Sequence, residues 1–121
     1  MTETDPRGVD YDFVRRCALA LPGVTEGMSY GTPSLHLGRK LFLRLREDGE
    51  SLVLKTDFYE RDHLLASDPA AFFTEPHYDG YPIVLVHLSA APREQLRGLI
   101  VDGWRRLATK KQVAAYDAAA E

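Results

Sequence analysis

Residues 72–88 of the chain read Phe-Phe-Thr-Glu-Pro-His-Tyr-Asp-Gly-Tyr-Pro-Ile-Val-Leu-Val-His-Leu. Asp79-Gly80 is a strong turn pair, because glycine takes positive φ without steric cost, and it lies between aromatic segments that favour strands. The pattern predicts a β-hairpin with an aromatic loop. Its second strand, residues 83–88, is apolar at nearly every position, which indicates a central strand partly covered on both faces.

Residues 34–56 predict three more antiparallel strands, since apolar residues alternate and turn pairs fall between them. The Asp48-Gly49 turn sets a register in which Leu45 faces Leu52. Alternation then puts one set of residues on the core side: Leu35, Leu37, Leu41, Leu43, Leu45, Leu52 and Leu54. The opposite face is predicted to carry His36, Phe42, Arg44, Arg46, Val53 and Lys55.

Three helices are predicted around these strands. Asp10 is a typical N-cap, apolar residues follow it at helical spacing, and a Pro-Gly pair ends the run, so the first helix covers about residues 10–21. Asp57 caps a short second helix, and Pro92 opens the last one. The glycine-rich residues 23–33 show no period and are expected to form a loop.

The predicted order is helix, three strands, helix, two strands, helix. It gives an α+β fold, a two-layer sandwich in which helices cover one face of an antiparallel sheet of about five strands. Residues 10–112 are expected to form the single domain. Residues 1–9 are expected to be a mobile N-terminal segment, and residues 113–121 an Ala-rich C-terminal tail that is either helical or frayed.

Length and composition are those of one ordinary globular domain: 121 residues, 45% hydrophobic and 27% charged. The apolar runs have strand length and Met1 is followed by Thr-Glu-Thr-Asp, so we expect a cytoplasmic protein. The single cysteine, Cys17, excludes an internal disulfide and every multi-cysteine metal site. It is predicted to be a buried, inert thiol.

The charge pattern bears on nucleic acid. A net charge of -3 argues against a protein that coats nucleic acid through bulk charge. Residues 93–111 nevertheless carry six basic against two acidic side chains, a local balance of +4. The acidic excess must therefore lie elsewhere in the chain.

Several short motifs resemble the MmcQ/YjbR family. They are Pro22-Gly23-Val24, Ser29-Tyr30-Gly31-Thr32-Pro33, Lys40-Leu41-Phe42 and Phe72-Phe73-x-x-Pro-His-Tyr-x-Gly-Tyr-Pro. The similarity covers about residues 10–110. The resemblance implies a compact fold likened to frataxin and to secretion chaperones, and a DNA-binding role proposed for the family. It names no catalytic residue, so none is carried over.

The open face of the predicted sheet is the first candidate site. Cations beside an aromatic ring on a flat surface are typical of proteins that hold phosphates while stacking bases. Together with the basic last helix, which ends near Lys110-Lys111, this face gives a predicted nucleic-acid-binding set: His36, Phe42, Arg44, Arg46, Lys55, Arg97 and Arg105. In it the two sheet arginines and Lys55 would contact phosphate, and Phe42 would stack. Polar residues on such a face also occur without any function.

Two alternatives stay open. Two aromatic loops, residues 29–32 and 77–81, would form a small-molecule or peptide pocket if they meet in space. Tyrosine hydroxyls and a titratable histidine would then converge on one site. Its predicted residues are Tyr30, Thr32, His77, Tyr78 and Tyr81. Such residues are also typical of loops that only close the end of a core. The other alternative is a protein-interaction module that uses exposed apolar sheet.

No catalytic or metal-binding pattern accompanies these candidates. The histidines His36, His63, His77 and His87 form no i, i+4 pair. A Gly-x-Ser-x-Gly motif and a glycine-rich phosphate loop are both missing from the sequence. We therefore predict a non-enzymatic binding module without metal or cofactor, with DNA as its leading ligand.

Overall fold

The computed structural model describes residues 5–120. Within them the elements run in the order α1-β1-β2-β3-β4-α2-β5-β6-α3-α4. The helices are α1 (Tyr11–Leu19), α2 (Phe58–Ser67), α3 (Arg93–Leu107) and α4 (Lys110–Ala120). The strands are β1 (Val24–Ser29), β2 (Thr32–Leu37), β3 (Lys40–Leu45), β4 (Ser51–Lys55), β5 (Phe72–Phe73) and β6 (Ile83–His87). Short 3-10 helices cover Pro76–Tyr78 and Leu88–Ala90.

The strands form one antiparallel sheet in the order β1-β2-β3-β4-β6-β5. Helices α1, α2 and α3 bury their apolar sides on one face of it, where Val14, Leu64 and Ile100 join the leucines of the strands in a single core. This arrangement confirms the predicted α+β class. The sheet has six strands rather than about five.

The additional strand is β1, so the prediction of a loop over residues 23–33 is wrong. β1 pairs with β2 from Val24↔Leu37 to Ser29↔Thr32. Tyr30 and Gly31 make the turn with φ of 55° and 78°, the positive values that a two-residue type I′ turn requires. Residues 25–28 are exposed on both faces of this edge strand. Because backbone hydrogen bonds hold the strand and neither face is buried, its sequence needs no alternation of apolar residues.

The predicted register between β3 and β4 is confirmed. Leu45 pairs with Leu52, and Arg44 pairs with Val53. The loop that sets it has Gly49 at a φ of 70°. The Asp48 carboxylate accepts hydrogen bonds from the backbone N–H groups of Glu50 and Ser51, both at 2.8 Å.

A β-bulge changes the faces of β3. Leu35 pairs with Leu43, whereas His36 pairs with Leu41, so Phe42 is the extra residue. The bulge lets Phe42 and Leu43 both point into the core, and Phe42 is 1% exposed. Leu41 is only half-buried and lies outside the core cluster. The predictions that Phe42 is exposed and that Leu41 belongs to the core are therefore wrong.

Residues 5–9 are attached to the domain. The Asp5 carboxylate accepts hydrogen bonds from the backbone N–H groups of Glu94 and Gln95, at 2.9 and 3.1 Å. It thereby caps α3, whose N-cap residue, Pro92, has no side-chain acceptor. Gly8 N–H also donates to the Ala91 carbonyl. The expected mobile segment therefore does not extend to residues 5–9, and residues 1–4 lie outside the described part of the chain.

The Ala-rich end continues the helical layer. Residues 113–120 belong to α4, so the helical alternative holds there, while residue 121 lies outside the described range. The Tyr116 ring lies 5.2 Å from the ring of Trp104. Trp104 is fully buried and donates its indole N–H to the Pro22 carbonyl at 2.9 Å. The ring contact attaches α4 to α3, and the indole hydrogen bond attaches α3 to the segment after α1.

Candidate functional site

The outer face of the sheet is the face turned away from the helices. The residues at its centre are buried. Strand register places one row of residues across it: Ser34, Arg44, Val53, Leu85 and Phe73. Arg44 is 8% exposed, and Val53 and Leu85 are buried without belonging to the helix-side core. A second, smaller buried layer therefore lies here, and the prediction of an open face is wrong at its centre.

Arg44 lies in this layer and joins the two aromatic loops. Its Nη1 donates to Thr32 Oγ1 at 3.4 Å and Glu47 Oε1 at 3.1 Å, and its Nη2 donates to the Tyr78 hydroxyl at 3.2 Å. Its guanidinium carbon lies 5.0 Å from the centre of the Tyr30 ring, a cation–π distance. The loops thus meet, and the Arg44 side chain occupies the contact between them.

The other two residues of the predicted pocket are placed differently. The exposed His77 ring packs edge-on against Tyr78, with centroids 4.9 Å apart. Tyr81 lines a different cavity, together with Lys55 and Ile83, and neither Tyr30 nor His77 contributes to that cavity. The five residues therefore do not surround a common space.

The Arg46 side chain is also held by partners within the domain. Its Nη2 donates to Glu75 Oε2 at 2.7 Å, and its guanidinium carbon lies 5.9 Å from the centre of the Phe73 ring. Phe73 stacks on His87 with centroids 3.9 Å apart and planes 11° apart. Sequence patterns did not group Phe73 and Glu75 with Arg46, because β5 is only two residues long and shows no alternation. The Glu75 carboxylate balances the Arg46 charge.

His36 and Phe42 have local structural partners. His36 Nε2 lies 2.7 Å from Ser34 Oγ, and its ring lies over Gly27, where an added Cβ would come within 3.1 Å of it. Because Ser34 is almost fully buried, this pair offers no accessible nucleophile. Phe42 has no exposed ring surface on which a base could stack.

Arg97 and Arg105 lie in the helix layer, on the other side of the sheet from the outer face. Arg97 Nε donates to Glu94 Oε1 at 3.1 Å, and Arg105 Nη2 donates to Asp117 Oδ1 at 2.8 Å. These hydrogen bonds raise the pKa of both guanidinium groups. Arg97 also contacts Cys17, which is half-buried rather than buried, and burial raises the pKa of its thiol. The predicted cations of helix and sheet are therefore not on one surface.

A different group of cations meets at one end of the molecule, around Leu107. Two cavities share this residue. One, of about 310 Å³, is lined by Lys55 and Arg106. The other, of about 290 Å³, is lined by Arg39 and Lys40. Thr109 and Gln112 also line the second cavity, and two lysines lie between them at the start of α4. We call the set of cations in and beside these cavities the basic end: Arg39, Lys40, Lys55, Arg106, Lys110 and Lys111.

Most cations of the basic end have no carboxylate partner. Among residues 5–120 only Arg106 forms an ion pair, with Nη2 3.1 Å from Asp57 Oδ2, and the other five form none. The Glu60 backbone N–H and the Arg106 charge hold the pKa of Asp57 below its ordinary value. No aspartate or glutamate lines either cavity. Sequence reasoning included Lys55 and the Lys110-Lys111 pair but treated residues 38–39 only as a turn.

Within residues 5–120 no three His, Cys, Asp or Glu side chains are grouped as ligands of a metal ion. No helix of these residues has the length and apolar character needed to span a membrane.

Comparison with known proteins places the fold. The crystal structure of protein DR2400 of Deinococcus radiodurans, which has a DUF419 domain, is similar with a TM-score of 0.70 at 20% sequence identity. The match covers 89% of this chain and 88% of that one. At this identity the likeness concerns the fold alone.

Sequence relatives are found among mycobacterial proteins. The uncharacterized proteins Mb2600 of Mycobacterium bovis and Rv2570 of Mycobacterium tuberculosis are each 43% identical to this chain over 53 residues. The match spans 44% of this chain and 41% of each relative.

The family model YjbR matches residues 19–106. That range contains the whole sheet and helix α2. It also contains the motifs at residues 29–33 and 72–82, on which the resemblance was based. The resemblance is confirmed, and the chain belongs to the YjbR family.

Proposed function

We propose that this domain is a non-enzymatic cytoplasmic module that binds nucleic acid through phosphate contacts at the basic end. The observation that carries the proposal is that four cations line the two cavities that share Leu107, with Lys110 and Lys111 next to them in the chain. Five of these six cations form no ion pair among the described residues. Neutralisation of phosphates by lysine and arginine supplies most of the sequence-independent affinity for nucleic acid. DNA, the ligand expected from the sequence, is the form we would test first.

The cations of the basic end come from four parts of the fold. Arg39 lies in the turn before β3, Lys55 ends β4, Arg106 lies near the end of α3, and Lys111 lies in the first turn of α4. These elements pack on a common core, so the charges are held in place rather than carried on a tail. A local positive field on a protein of net charge -3 also steers a polyanion to this end.

The sheet arginines have a structural role in this proposal. Moving Arg44 onto a phosphate would break its hydrogen bonds to Thr32 and Tyr78, and moving Arg46 would break its ion pair with Glu75. A buried hydrogen-bonding group left without its partner costs about 1–3 kcal/mol. Lys55 is the one sheet cation of the predicted set that remains a proposed phosphate contact.

The alternative functions have less support. A small molecule or peptide at the aromatic loops would have to displace Arg44 from its contacts with Tyr30 and Tyr78. A protein partner on exposed apolar sheet lacks a surface on the outer face, because Val53 and Leu85 are buried.

The proposal is tested with two double variants that remove the same charge. Lys40→Gln with Lys111→Gln alters the basic end, and Arg97→Gln with Arg105→Gln alters the helix layer. Fluorescence anisotropy with labelled single- and double-stranded oligonucleotides at low salt would give the dissociation constants. We expect the first variant to weaken binding about tenfold or more, because two phosphate contacts are lost.

The second variant is the matched control and should stay within about twofold of the wild-type dissociation constant, because its arginines lie outside the basic end. Equal losses in both variants, or no loss in the first, would contradict the placement. No binding of either oligonucleotide by the wild-type chain at low salt would contradict the proposal itself.

A further inference from the structure

We infer that the basic end takes single-stranded nucleic acid and holds an unpaired base in the cavity beside Tyr81. The inference rests on the proposed function and adds the form of the strand. It is carried by the lining of the cavity and by the exposed aromatic residues next to it.

The cavity combines an apolar interior with positive charge. Pro82, Ile83 and Leu107 line it, and Lys55 and Arg106 lie in the same wall. Its volume of about 310 Å³ is at the lower end of the range for small-ligand sites. A flat apolar ring with a phosphate next to it matches this lining. In a duplex the faces of each base are stacked on its neighbours, so only an unpaired base can enter.

A glycine allows α3 to lie close to the sheet at the cavity. Gly103 of α3 lines the cavity, and an added Cβ there would lie 3.3 Å from both the Lys55 carbonyl oxygen and the Phe42 ring. Helix and sheet approach each other closely at this point because the residue has no side chain.

Exposed aromatic rings occur close to the cavity. Tyr59 is 83% exposed, Tyr81 57% and Phe58 50%. Phe58 and Tyr59 open α2, and α2 is fixed to the Tyr81 loop by a hydrogen bond from Arg61 Nη1 to the Tyr81 carbonyl at 3.2 Å. Asp57, directly before them, pairs with Arg106. Aromatic rings that alternate with cations are the usual means of holding a single strand, because each ring offers a stacking surface.

The test compares two single strands that carry the same number of phosphates. One is labelled oligothymidylate, and the other is an abasic strand of the same length and charge. We expect the wild-type chain to bind the oligothymidylate at least about fivefold more tightly, the effect of one stacked base. Tyr81→Ala and Tyr59→Ala should each reduce that preference toward equal affinity for the two strands.

Tyr30→Ala is the matched control, because it removes an exposed tyrosine at the turn between β1 and β2, outside the basic end. It should retain the full preference.

The outcomes separate this inference from the proposed function. Equal wild-type affinity for the two strands, or an unchanged preference in Tyr81→Ala, overturns the base site. If both strands still bind in a salt-dependent manner in that case, the phosphate contacts of the proposed function stand. If neither strand nor a duplex binds at low salt, both proposals fall.

Discussion

At the scale of single residues, one buried arginine connects the separate segments that make up the outer layer of this domain. Arg44 connects Thr32, Tyr78, Tyr30 and Glu47. Three of these partners come from loops or strand ends that are distant in sequence, so their meeting could not be read from local patterns. Sequence alternation did predict that Arg44 lies on the face away from the helices, opposite Val53.

Replacing Arg44 should therefore cost stability. We expect Arg44→Ala to lower the free energy of unfolding by about 2–3 kcal/mol, because two neutral hydrogen-bond partners lose their donor in a buried layer. The control is Glu47→Gln, which weakens the ion pair at an exposed carboxylate and should cost less than about 0.5 kcal/mol. Urea unfolding of both variants gives the comparison. Equal small effects would contradict the role assigned to Arg44.

Asp48 accounts for part of the folding stability that is lost in acid. Partial burial raises its pKa, but hydrogen bonds from Glu50 and Ser51 outweigh this, so the pKa lies below its ordinary value. The unfolded chain then holds the proton more tightly than the folded one. The contribution to stability is present above about pH 4 and is lost as the pH falls through the lower folded pKa.

Asp48→Asn keeps an oxygen acceptor but cannot ionise. We expect this variant to lose less stability than the wild-type chain when the pH is lowered from about 6 to about 3. Urea unfolding at the two pH values measures the difference. An equal acid-induced loss in both proteins would show that Asp48 does not contribute in this range.

At the scale of elements, the bulge in β3 decides which aromatic ring is in the core. Phe42→Ala should lower the free energy of unfolding by about 3–5 kcal/mol, since it removes a large buried side chain. Phe58→Ala removes the same atoms from an exposed position on α2 and should cost less than about 1 kcal/mol. Similar costs in chemical denaturation would contradict the register of β3.

Two glycines of α3 differ in their surroundings. An added Cβ at Gly98 meets no atom within 4 Å, whereas one at Gly103 lies 3.3 Å from the Phe42 ring. Gly98→Ala should raise the free energy of unfolding by about 0.5–1 kcal/mol through helix propensity. Gly103→Ala should raise the free energy of unfolding by less, because the close contact with the Phe42 ring offsets the gain in helix propensity. A larger gain at Gly103 in urea unfolding would contradict the close approach of α3 to the sheet.

Local chemistry explains which elements could be predicted. Asp10 and Asp57 cap α1 and α2 as expected, with hydrogen bonds of 2.9 and 2.7 Å, because capping depends on a few neighbouring residues. The Asp48-Gly49 turn fixed the register of β3 and β4 for the same reason. β1 was missed because its glycine-rich, exposed residues have no period, and the bulge at Phe42 was missed because strict alternation leaves no place for an extra residue.

At the scale of the whole molecule, charge is distributed unevenly around a common core. The fold class followed from the order of helices and strands, which is a property of the sequence. The basic end did not, because Arg39, Lys55 and Arg106 line cavities that exist only once the sheet packs against α3 and α4. The cations that sequence reasoning favoured are mostly held by carboxylates or aromatic rings.

The most direct test of nucleic-acid binding at the basic end is the salt dependence of the dissociation constant for a labelled single strand. Each phosphate contact contributes about 0.7 to the slope of log Kd against log salt concentration. We predict a wild-type slope of about 3–4, corresponding to about five contacts, and a slope lower by about 1–2 for Lys40→Gln with Lys111→Gln. A wild-type slope near zero, or the same slope in the double variant, would contradict the account.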